Sequence, residues 1–153
     1  MGTIYDWLLF AHVLAAMVWV GGLVMIMAVG TRTRRSGDPD AVARFVRGLR
    51  ILGPAVLAPA AVLLLVFGIW MVVDSAAWDF GQTWVRVGAT LLILSVLIGA
   101  VYLSRAGIAA ERAVAAGDHR EAARQLGRWA WGIGATLVLL VAATWDMVVK
   151  PGL

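Results

Sequence analysis

His12 is the residue with the most chemistry to offer, because it sits in the otherwise apolar run Ala11-His12-Val13-Leu14-Ala15-Ala16-Met17-Val18-Trp19-Val20-Gly21-Gly22. A neutral imidazole presents one nitrogen that ligates iron or copper and a second that donates a hydrogen bond. On a 3.6-residue period His12, Ala15, Ala16, Trp19 and Gly22 share one helical face. That face joins a ligand-capable ring, small residues and a flat aromatic, so it can leave a slot. The functional reading makes His12 the axial ligand of a haem b or the centre of a metal site, with Trp19 lining the slot. The plainer reading ties the ring to Thr90, Thr144 or a backbone carbonyl, as a bond between helices.

Other residues complete each reading. Arg86 is placed to meet haem propionates, or to pair with Asp146 or Asp79. Asp146 can orient the His12 ring, as carboxylates do for ligand histidines. Met71 or Met147 can serve as a soft sixth ligand to haem iron or as a copper ligand. The alternative is therefore copper or cation handling by His12, Met71, Met147 and the acids Asp74 and Asp146. The spans hold no second histidine, so a bis-histidine haem requires two chains, each giving its His12. His119 falls in an exposed turn and is assigned no role. Cysteine is absent, which excludes structural disulfides and thiolate chemistry. Phosphate-cradling glycine loops, zinc-protease motifs and nucleophile elbows are absent too, and no lone hydroxyl has an adjacent base.

These side chains must be positioned by helices in a bilayer. The 153 residues are 62% hydrophobic and only 14% charged, too few charges to coat a soluble domain. Mean hydropathy is +0.89. Four apolar runs, 7–30, 51–73, 84–104 and 132–149, are each of a length to cross a hydrocarbon core, which takes about 20 helical residues. The first run lacks a basic leader and follows Asp6, so it reads as a permanent span and not as a cleaved signal. The expected fold is all-α: one antiparallel four-helix transmembrane bundle over residues 1–153.

Of the thirteen basic residues only Arg86 and Lys150 lie outside the two blocks that follow spans one and three. Arginine-rich loops stay cytoplasmic, which predicts both termini outside. The basic face matches anionic lipid headgroups, and no aromatic-interleaved surface accompanies it for nucleic acid. A loop is expected at 31–37, then a helix with Asp38 as N-cap and Pro39 in its first turn. Gly53-Pro54 and Pro59 predict a bend low in span two. Gly117 is a helix stop, and Asp118 with Glu121 reads as a capping box. The third and fourth helices would then project into the cytoplasm as a hairpin. Trp70, Trp78 and Trp84 mark the outer interface. Small residues such as Ala15, Gly22, Gly88 and Gly134 favour close helix packing, and a homodimer or larger membrane complex is an open expectation.

Leu9-Phe10-Ala11-His12 through Trp19-Val20-Gly21-Gly22 resembles the first helix of a broad bacterial superfamily of small membrane proteins. The superfamily includes copper-resistance protein D, the membrane protoporphyrinogen oxidase and several predicted integral membrane families. The closing Trp145-Asp146-Met147-Val148-Val149-Lys150-Pro151-Gly152 resembles the end of one of the four-span families of unknown function. The resemblance implies residence in the bacterial inner membrane. Through the oxidase relatives it implies a b-type haem on the first-helix histidine, His12 here. Those relatives carry a lysine four residues after a tryptophan early in span three, and this chain departs from them with Gly88 after Trp84.

Overall fold

The computed structural model describes residues 3–152. Six α-helices form four rods: α1 (Ile4–Ser36), α2 (Pro39–Leu52) running on into α3 (Ala58–Asp74), α4 (Thr83–Leu97) running on into α5 (Ser104–Ala115), and α6 (His119–Val149). The shortest rod, α6, has 31 residues, which is about 46 Å at 1.5 Å per residue. A hydrocarbon core is about 30 Å thick, so every rod outreaches it, and the surplus is the arginine-rich part. The expected spans all fall inside these rods.

Local chemistry sets the ends. Thr3 and Asp6 form a reciprocal capping box, Asp6 N–H donating to Thr3 Oγ1 and Thr3 N–H to Asp6 Oδ2. This start was not foreseen. The expected loop at 31–37 is instead the last two turns of α1, because nothing there breaks a helix until Gly37, whose φ of 67° only glycine adopts freely. Asp38 then accepts from Asp40 N–H with Pro39 in the first turn, as anticipated. Gly117 (φ 71°) closes the third rod. Asp118 accepts from Glu121 N–H, but Glu121 turns its own carboxylate to Gln125 and Arg124, so the expected box is half made.

Two π-helical turns interrupt the middle rods, Gly53–Leu57 and Ile98–Leu103. The first follows from Pro54 and Pro59, which carry no N–H to donate back to i−4; the Ala58 N–H reaches Gly53 O instead. In the second, Ser104 donates both its N–H and its hydroxyl to Gly99 O. The expected interruption in span two is thus a widened turn in a continuous helix.

Around the bundle, α1 packs on α3 and α6, and α6 packs on α4 and α5. At the arginine-rich end α2 packs on α5, whereas α3 and α4 form no packed interface. The core runs through Trp19, Leu23 and Ile26 of α1, Leu64 of α3, Leu92 of α4, and Trp129, Ile133 and Leu140 of α6. At the opposite end, the one carrying the termini, Trp78 donates to Tyr5 Oη, meets Trp84 edge-on at 5.1 Å and lies under the Lys150 ammonium at 3.9 Å. Two of the expected interfacial tryptophans therefore pin the 75–82 loop to α1 and α6, while Trp7, Trp70, Trp131 and Trp145 project outward from the bundle.

Candidate functional site

His12 lies on the buried stripe of α1 with Leu8, Ala15, Trp19, Leu23, Ile26 and Gly30. Its Nδ1 stands 2.9 Å from Leu64 O on α3. A carbonyl only accepts, so Nδ1 carries the proton and donates, leaving the lone pair on Nε2. Gly68, one turn further along α3, makes room for the ring: a Cβ there would stand 3.1 Å from His12 Cε1. The imidazole is a bond between α1 and α3, wedged against backbone. Of the hydrogen-bond partners anticipated for it, the backbone carbonyl is the one found; Asp146, Thr90 and Thr144 are not. Both threonine hydroxyls bond back to their own helices.

The remaining predicted donors do not converge on it. Arg86 is exposed and forms no ion pair with Asp146 or Asp79. Asp146 and Met147 lie at the α4–α6 seam, against Gly88: a Cβ on Gly88 would stand 3.0 Å from Asp146 Oδ2 and 3.3 Å from Met147 Cε. Met71 is half-buried on α3. Among the described residues no three His, Asp or Glu side chains gather as a metal cluster. His12 thus serves one seam of the bundle while Asp146 and Met147 serve another.

Asp146 is 2% exposed, and neither carboxylate oxygen has a hydrogen-bond partner among the described residues. Burying such a group without a partner costs about 1–3 kcal/mol. Asp146→Leu, which removes both unpaired oxygens at similar volume, is accordingly expected to leave the fold intact and to raise the detergent melting temperature. A fall on thermal unfolding would show that the carboxylate has a partner worth more than its burial.

The large open space lies elsewhere. Because α3 and α4 do not pack, a cavity of about 590 Å³ opens between the second and third rods. One wall is the i, i+4 ladder Arg50, Pro54, Ala58 and Val62; the other is Ala100, Ser104, Ile108 and Glu111. The floor is Trp19, Leu23 and Ile26 of α1 with Trp129, Ile133 and Thr136 of α6. Both π turns contribute to its walls through Gly53, Pro54, Gly99 and Ala100, all small or without a flexible side chain. The floor hydroxyls of Ser95 and Thr136 donate to their own helices. The charged groups of the lining are Arg50 and Glu111, paired at 3.0 Å across the arginine-rich end. Arg50 to Val62 spans about 18 Å of helix.

Trp19 borders this slot, a different one from the His12-centred slot expected of it: His12 does not line it, and no histidine, methionine or tyrosine stands on the wall. The residues present do not fit a porphyrin held through iron in this space. Sequence reasoning missed the slot's two charged residues: Arg50 was counted with the topology signals, and Glu111 was not singled out. Gly53-Pro54 marked one widened turn in the sequence, but nothing marked its counterpart at Ile98–Leu103.

Four apolar helices of membrane-crossing length, with tryptophans and aliphatics turned outward around a core of small and large apolar residues, make an integral membrane protein. Residues 6–151 match the family model described as "Predicted integral membrane protein (DUF2269)". The chain belongs to that family. The match takes in all four rods, so the slot and the His12 seam both lie within the family's matched region. No curated protein and no solved structure matches the chain.

Proposed function

We propose that this family member holds a long, lipid-soluble molecule in the slot between its second and third rods, with the arginine-rich end at the cytoplasmic face of a bacterial inner membrane and both termini outside. The observation that carries the reading is the slot itself. It is apolar along its length, it lies between two membrane-crossing rods that do not pack, and it bears charge at one end only. Ligand sites of 300–1,000 Å³ with mostly apolar walls and few polar groups are the usual form of a small-molecule site. The arginine excess at that end supports the orientation.

The test fills the mouth. Ala100 is exposed on the wall, so Ala100→Trp adds bulk where no core neighbour resists it. Native mass spectrometry of protein released from phosphatidylcholine nanodiscs is expected to show one retained lipid on the wild type. On Ala100→Trp it should show about tenfold less, a loss of about 1.4 kcal/mol, at unchanged melting temperature. Equal retention by the two proteins would overturn the reading.

A second reading keeps a haem or copper ion on His12. What favours it is the tautomer: Leu64 O holds Nδ1–H and leaves Nε2 as the unprotonated nitrogen, the arrangement seen in ligating histidines. An absorption spectrum and metal content from one purified sample separate the two readings. A Soret band or stoichiometric copper, lost in His12→Gln, would put the cofactor back.

A further inference from the structure

Resting on the slot reading, we infer that the slot selects a lipid with an anionic headgroup, and that Glu111 is the intramolecular stand-in for that headgroup on Arg50. Three features of the slot's charged end converge. The slot has one charged end, and the cation there is a guanidinium, which offers five N–H donors in a planar fork suited to a phosphate. Among the described residues one of those donors is engaged: Arg50 NH1 meets a single Glu111 oxygen at 3.0 Å, with no second contact. The pair is also open to solvent, with Arg50 75% and Glu111 39% exposed at the side chain, and exposed ion pairs of this kind are worth little. A phosphate can therefore take Arg50 from Glu111 at small cost and gain the bidentate geometry that the present contact lacks.

The slot's length selects a lipid over a free anion. The ladder from Arg50 to Val62 covers about 18 Å, close to the ~15 Å depth of one hydrocarbon leaflet. A chain lying along Pro54, Ala58 and Val62 places its head at Arg50, at the level where the rod leaves the apolar region. Gly53 and Gly107, about one turn inward of Arg50 and Glu111 on the two walls, bring no side chains to the slot beneath the pair.

The two charged residues should then act with opposite sign, which a merely structural ion pair would not do. The experiment uses the full chain in phosphatidylcholine nanodiscs doped with either dioleoyl phosphatidic acid or dioleoylglycerol, with retained lipid counted by native mass spectrometry. Wild type is expected to retain phosphatidic acid about tenfold better than dioleoylglycerol. Arg50→Gln should erase that preference while still retaining dioleoylglycerol, and Glu111→Gln should strengthen it. Inorganic phosphate at millimolar concentration should not displace the lipid; displacement would mean a surface anion site and overturn the lipid assignment. Retention of both lipids without preference, or a preference unchanged by both substitutions, sinks the headgroup inference and leaves the slot reading standing. Retention of neither dopant nor of the host phosphatidylcholine sinks the slot reading itself.

Discussion

His12→Ala is expected to lower the detergent melting temperature markedly, with His12→Gln falling much less. The alanine variant removes two things together: the Nδ1–H···O=C bond to Leu64 and the ring that fills the α1–α3 seam over Gly68. Interhelical hydrogen bonds in membranes average about 0.6 kcal/mol, so the bond alone is a modest loss. The ring's packing is the larger part, because deleting a buried side chain of this size leaves a void that its surroundings fill only partly. Offsetting both is the relief of no longer burying an imidazole. A net loss of about 2 kcal/mol corresponds to roughly 4–8 °C for a chain of this size. Glutamine keeps a donor of similar reach and most of the volume. A thermal-shift series across wild type, Gln and Ala measures the order; an alanine variant as stable as wild type would mean that the seam does not depend on the ring.

That outcome bears on how far the sequence could be read. Apolar run lengths placed all four crossings, since a helix in lipid must satisfy its own backbone and the composition of about 20 residues decides whether it does. Asp38, Pro39, Gly117 and Asp118 announced their helix ends for equally local reasons. What failed was tertiary. Chemical role grouped His12, Asp146, Met147 and Arg86, but role does not say which neighbour a helix face meets. His12 faces α3 while Asp146 faces α4, on different seams of the bundle. The slot escaped notice for the same reason: it exists because α3 and α4 do not pack, and a single helix's periodicity carries no sign of a missing interface. Pro54 and Pro59 showed where span two would be disturbed, not that the disturbance would face another widened turn at Ile98–Leu103. Arg50 was legible only as charge, and its place on the slot's rim had to come from the structure.

Gly132→Leu is expected to be the most damaging single change outside the slot, and its cause is steric. A Cβ at 132 would stand 2.6 Å from Leu103 Cδ2 and 2.7 Å from Tyr102 Cδ1, inside any tolerable carbon contact. Leu103 can yield only by swinging into the slot it lines, while the Tyr102 ring is held over α6 by its hydroxyl's bond to Arg128 O at 3.3 Å. Alanine already forces both side chains to move, at a cost of about 1–3 kcal/mol for overpacking. Leucine must either drive the Leu103 side chain into the slot or push α6 away from the π turn at Ile98–Leu103, and both spoil the wall on which the slot depends. Gly134, two residues on, is the control: a Cβ there meets nothing within 4 Å, and Gly134→Ala should stabilise slightly, by about 0.4–1 kcal/mol, through the unfolded chain. Melting in detergent, read beside lipid retention, separates the two positions. Gly132→Leu should lose both stability and the retained lipid, and Gly134→Ala neither. If Gly132→Leu melted like wild type, the close approach of α6 to the third rod, and with it the rigid back wall of the slot, would be wrong.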